Sequence, residues 1–153
     1  MNNRRRIVAG AGVAAAAVVA AGAWCAAHQG VFAAGTGPAY EPWSRWPPAE
    51  RASPLALVHA AILAASPHNT QPWLFRVGDT GIELGVDAGR HIGTIDPLRR
   101  EQWMGVGCAL ENLLVAAPAL GWNATVALVP DAAAPALAAR ITLSRADARP
   151  HPL

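Results

Sequence analysis

The run Ala65–Val77, A-S-P-H-N-T-Q-P-W-L-F-R-V, constrains this chain more than any other, because two prolines bracket a polar turn just before an alternating stretch. Pro67 and Pro72 fix their own φ and bias Ser66 and Gln71 toward extended geometry, so a preceding helix has to end near Ser66. The turn is held at both ends. Ser66, His68, Asn69, Thr70 and Gln71 crowd donors and acceptors into six residues, a density suited to a polar, planar ligand. Trp73, Phe75 and Val77 then alternate with Leu74 and Arg76, which reads as a strand with an aromatic face. The same residue types also make ordinary turns, and a polar helix-to-strand connection needs no ligand.

Before this run, Ser53 and Pro54 form a helix start, as N-cap and first helical position. Leu55, Val58, His59, Ile62 and Ala65 follow at helical spacing. His59 lies on or beside that apolar face without a partner at metal-ligand spacing, so core packing or an edge hydrogen bond is expected. After the run, Asp79-Thr80-Gly81 is a turn and Ile82–Val86 a second strand, giving an antiparallel hairpin. Residues 87–95 are irregular, and Arg90 and His91 read as parts of an exposed loop.

The clearest helix follows. Asp96 caps it, Pro97 opens it, and the pattern runs from Leu98 to Leu120, where Gly121 ends it and Pro118 should disturb the last turn. Trp103, Val106, Leu110, Leu113, Leu114, Ala117 and Leu120 give it a broad apolar face. Gly105, Gly107, Cys108 and Ala109 permit close approach of another backbone, and Glu111 and Asn112 are edge residues. Within such a pattern Cys108 is expected to be a small buried thiol. Trp122–Val129 alternates as a third strand, residues 135–139 form a short helix or turn, and Arg140–Leu143 a fourth strand. These elements specify an α+β fold, antiparallel strands packed on a long central helix.

The N-terminus is of another kind. Arg4, Arg5 and Arg6 precede Ile7–Ala27, an uncharged Ala/Gly/Val stretch, which is the arrangement of an export signal. The Arg pair, one further residue and two apolar positions resemble the twin-arginine pattern. Cleavage is expected at Ala21-Gly22-Ala23 or Val31-Phe32-Ala33, so that exported protein begins between Trp24 and Tyr40. A membrane anchor is the alternative, since about 20 apolar residues can cross a bilayer. Residues 1–34 are thus signal or anchor, 35–52 a linker, 53–145 the folded domain and 146–153 a tail. Tyr40, Trp43 and Trp46 in the linker could lay one aromatic edge on the domain, or form a lipid-facing belt.

Charge excludes one class of partner. All 12 basic residues are Arg and three lie in the leader, leaving nine against ten acidic residues. No basic patch survives for nucleic acid. No Ser/His/Asp set, metal-ligand cluster or phosphate-cradling Gly loop supplies chemistry, so neither catalytic residues nor a metal site are assigned.

The turn and strand, S-P-H-N-T-Q-P-W, resemble the signature of the FMN-dependent nitroreductase family, in which a Ser-rich turn followed by N-x-Q-P-W joins the first core helix to the first core strand. Y-E-P-W before it, with D-P-L-R-R-E and G-C-A-L-E-N-L after it, is similar to the Acg-like branch. The resemblance runs from about Tyr40 to Leu143. It implies that Ser66, Asn69 and Gln71 contact FMN with Trp73 packing behind them. His68 is the candidate to replace a second Ser that the family often has where Pro67 stands. It implies a dimer or internally duplicated pseudo-dimer built on the long helix, and electron transfer through FMN to a nitroaromatic or quinone. The family's Arg-Ser-x-Arg phosphate element is absent, with Arg51 as the nearby cation, and the chain resembles an N-terminal half. The expected function is an exported FMN-dependent oxidoreductase; a flavin-sequestering protein and an inactive truncated product are the alternatives.

Overall fold

Residues 3–33, 35–46, 48 and 51–149 are described by the computed structural model, and the end of the expected tail, 150–153, lies outside them. The chain divides into two compact units at Glu41/Pro42, inside the stretch read as linker. In the first unit, helix α1 (Asn3–His28) is followed by short 3-10 turns at Val31–Ala33 and Pro38–Tyr40. Its segment Ala11–His28 is long and apolar enough to cross a membrane and is wholly unburied. A signal sequence near an N-terminus has the same properties.

A one-turn helix α2 (Glu41–Ser44) spans the boundary, and the second unit continues with α3 (Leu55–Ala61). Trp43 and Trp46 in this unit are exposed. Helix α3 starts as Ser53 suggests, its hydroxyl accepting from the Leu55 N–H at 3.2 Å. It ends earlier than the periodicity implies. The N–H groups of Leu63 and Ala64 shift to i−3 carbonyls, tightening the last turn ahead of Pro67. His59 is exposed rather than packed, because Ala56, Leu57, Ala60 and Ala61 set the buried side of so short a helix.

Strands β1 (Trp73–Val77), β2 (Gly81–Val86), β3 (Trp122–Leu128) and β4 (Leu137–Arg145) make one antiparallel sheet ordered β1-β2-β4-β3. The β1–β2 register pairs Trp73 with Val86 and Val77 with Ile82. Alternation therefore places Trp73, Phe75, Ile82, Leu84, Val86, Ala139, Ile141 and Leu143 on the inner face. Strand β4 begins at Leu137, taking in residues read as a turn, because it pairs with both β2 and β3 and gains hydrogen bonds on each edge. On the outer face Glu83 meets Arg76 at 2.8 Å and Arg140 at 3.1 Å. Both arginines are at least half exposed, so each pair contributes at most about 1 kcal/mol.

The inner face is covered by α4 (Arg100–Ala119), with α3 beside it. Val106, Ala109, Leu113, Ala116 and Ala117 are the buried stripe, joined by Leu57, Ile82, Leu84 and Ile141. Each fully buried Leu or Ile contributes about 1.5–3 kcal/mol. That phase of the stripe leaves Trp103, Met104, Gly107 and Cys108 on the outward side, so Cys108 is an exposed thiol and not a buried one. Asn112 donates its amide to the Ala60 carbonyl at 3.2 Å and ties α4 to α3. Pro118 stays inside the helix, since in a last turn its missing N–H forfeits a single bond. The Leu120 N–H is shared by the Ala116 and Ala117 carbonyls, and Gly121 at φ +77 turns the chain into β3.

Candidate functional site

The Pro67–Gln71 turn passes close to α4, and Gly105 is what allows it. A Cβ at Gly105 would stand 3.2 Å from Pro67 Cδ and 3.4 Å from Ser66 Cβ. Gly107, by contrast, faces open space, so of the two glycines read as contact points only Gly105 serves one within this chain.

Ser66 is extended, and its Oγ accepts from the Gln71 N–H at 3.0 Å, which closes the turn across five residues. The Asn69 N–H donates to the Ser66 carbonyl and the Thr70 N–H to that of Pro67, both at 3.0 Å. Between these ties, His68, Asn69 and Gln71 take φ of 47°, 54° and 50°. Left-handed backbone is rare outside glycine and costs roughly 1–2 kcal/mol per residue, least for Asn. Three such residues in four project His68, Asn69 and Gln71 into solvent. Gln71 Nε2 reaches Asn69 Oδ1 at 3.3 Å, which leaves the Asn69 amino group and the Gln71 carbonyl oxygen available for a ligand. The four candidates are therefore brought together. Three present polar side chains outward, and Ser66 acts first on the loop itself.

Trp73 is 9% exposed and Pro72 fully buried, so the strand after the turn is anchored in the core. Arg51 is exposed and makes no recorded contact with the turn. Arg90 does: its Nη1 lies 3.5 Å from the carbonyls of both Thr70 and Gln71, and its Nε lies 3.3 Å from Asp87 Oδ2. The Asp87–Arg90 turn is fastened in its own right. The Asp87 N–H donates to the Pro72 carbonyl at 2.9 Å, and Gln102 Nε2 donates to the Asp87 and Arg90 carbonyls at 2.8 and 3.1 Å.

Neither Arg90 nor Gln102 stands out when the sequence is scanned for motifs. Gln102 carries a retrievable signal, being a polar residue on the stripe that continues as Val106, Ala109 and Leu113. Asp96 caps as expected but at longer range. Its carboxylate accepts from the N–H groups of Arg100 at 2.8 Å and Gln102 at 3.1 Å, with Arg99 left-handed between, so the helix starts at Arg100. Those N–H groups are thereby satisfied internally. Among the described residues no group of three or more His, Cys, Asp or Glu is placed to hold a metal ion.

No protein-family model matches the chain. It is 38% identical over 109 residues to Rv3131 of Mycobacterium tuberculosis, a protein provisionally named an NAD(P)H nitroreductase, covering 60% of this chain and 32% of that one. It is 36% identical over 90 residues to a protein of the same organism provisionally named NAD(P)H nitroreductase acg, covering 59% and 27%. The chain thus spans about a third or less of the length of the curated relatives it matches. Its α+β architecture, with an antiparallel sheet on a long helix, agrees with that similarity to proteins provisionally named nitroreductases.

Proposed function

We propose that this chain is part of an exported FMN-dependent oxidoreductase of nitroreductase type, in which Ser66, His68, Asn69 and Gln71 form one wall of the flavin site. The observation that carries the reading is the tied, left-handed turn, which spends backbone energy to hold an imidazole and two carboxamides outward together. A flavin ring edge alternates hydrogen-bond donors and acceptors, and carboxamides offer both, so these residues fit that end of the cofactor. Further chain or a second subunit supplies the remaining walls, in keeping with the fraction of the relatives that the chain spans.

When bound, FMN supplies two-electron transfer, with NAD(P)H as donor, following the relatives' names, and a nitroaromatic or quinone as acceptor. The chain's own part is positional. Asn69, Gln71 and His68 would hold the polar edge of the flavin, while Ser66 keeps the turn closed and buried Trp73 fixes its exit. A homodimer or pseudo-dimer is supported by the outward side of α4, where Trp103 and Met104 are 39% and 62% exposed beside Gly107 and Cys108. Export by the twin-arginine machinery, to the periplasm or cell envelope, is supported by Arg4–Arg6 ahead of an unburied apolar helix.

The test is anaerobic spectroscopy of the full chain with FMN and then NADPH. Bound flavin that bleaches supports the oxidoreductase. Bound flavin that does not bleach moves the reading to flavin sequestration, and absence of binding removes both.

A further inference from the structure

Among the described residues, Arg90 is the charged side chain that reaches the candidate turn, and it approaches from a different part of the chain. Its guanidinium meets two consecutive carbonyls, Thr70 and Gln71, which flank the left-handed Gln71. A single nitrogen, Nη1, lies 3.5 Å from both carbonyls, while Nε of the same guanidinium lies 3.3 Å from Asp87 Oδ2, so one planar group spans the turn and its own loop. Behind Arg90 lies a rigid mount. Gln102 is 2% exposed, and its amide nitrogen holds the carbonyls of Asp87 and of Arg90 itself. Its own N–H is fixed by Asp96, and its Oε1 is buried with no partner.

We infer that Arg90 is a positioning residue that clamps the Thr70–Gln71 carbonyls and so sets the presentation of Asn69 and Gln71, with Gln102 as the buried mount that holds Arg90 in reach. The inference rests on the reading of the turn as a flavin wall, although the clamp itself is observable without flavin. Arg90 is more than half exposed and its ion pair with Asp87 is a surface one, so removing it should barely change global stability.

The experiment compares the full-length protein with its Arg90→Ala variant by amide hydrogen exchange without ligand, by thermal melting and by FMN titration. Expected are exchange at the Thr70 and Gln71 amides faster by about tenfold, unchanged exchange in β2 and β4, and a melting temperature within about 3 °C of the parent. FMN affinity should fall by about tenfold. Unchanged exchange at both amides would overturn the clamp, as would equal acceleration throughout the sheet. Faster local exchange with unchanged FMN affinity would break the link between clamp and site. If the parent binds no FMN, the flavin reading fails, while the exchange result still decides whether Arg90 holds the turn.

Discussion

Two connections in this domain solve the same geometrical problem with different residues. Between α4 and β3 the chain needs one left-handed residue and uses Gly121, at φ +77, which is buried and presents no side chain. Between α3 and β1 it needs three, and uses His68, Asn69 and Gln71, all exposed. Glycine would relieve the backbone at each of those positions. The difference teaches that the first connection only turns the chain, whereas the second keeps side chains at a conformational cost, as expected where side chains meet a ligand. Arg99 and Val129 are also left-handed, but each is a single residue at an element end, and neither belongs to a cluster.

Substitutions can break this contrast. The largest effect is expected from replacing Asn69 and Gln71 together by Ala: FMN affinity should fall about a hundredfold, from two lost hydrogen bonds at about 1–1.5 kcal/mol each, with little loss of stability. Equilibrium titration of flavin absorbance checks it. Gly121→Ala should do the reverse, destabilising by about 2 kcal/mol through its positive φ and a Cβ placed 3.1 Å from the Ala146 carbonyl, without altering flavin affinity per folded molecule. Denaturant unfolding measures that loss.

Gln71→Gly sharpens the point with a smaller change of opposite sign. It should raise unfolding free energy by up to about 1 kcal/mol while weakening FMN binding several-fold, and a loss of stability would show that the turn is not strained. The smallest effect is expected on the outer face of the sheet, where Arg76→Ala removes an exposed ion pair worth about 0.2–1 kcal/mol and leaves FMN affinity alone.

The sheet was legible because alternation and register agree: Trp73 and Phe75 lie on the core side opposite Val86 and Leu84. The cap at Asp96 and the stop at Gly121 were legible because both rest on local chemistry. Burial on α4 was harder to read, since Ala and Gly occupy both sides. Only the phase set by Val106, Ala109, Leu113 and Ala116 shows that Cys108 points outward. The site was legible as composition and not as conformation. Asn69 and His68 tolerate left-handed backbone, but nothing in H-N-T-Q announces three such residues in four, because glycine, the usual marker of positive φ, is missing. Arg90 meets the turn 19 residues away in sequence and Gln102 meets Arg90 12 residues away, pairings that local patterns do not encode.

The most direct test of the central claim is a titration of the purified full chain with FMN, followed by visible absorbance. The account predicts saturable binding with a flavin spectrum distinct from that of free FMN, lost in the Asn69/Gln71 double variant and retained in Gly121→Ala. A spectrum identical to free FMN at every concentration, from a protein whose sheet is shown to be folded by circular dichroism, would contradict it.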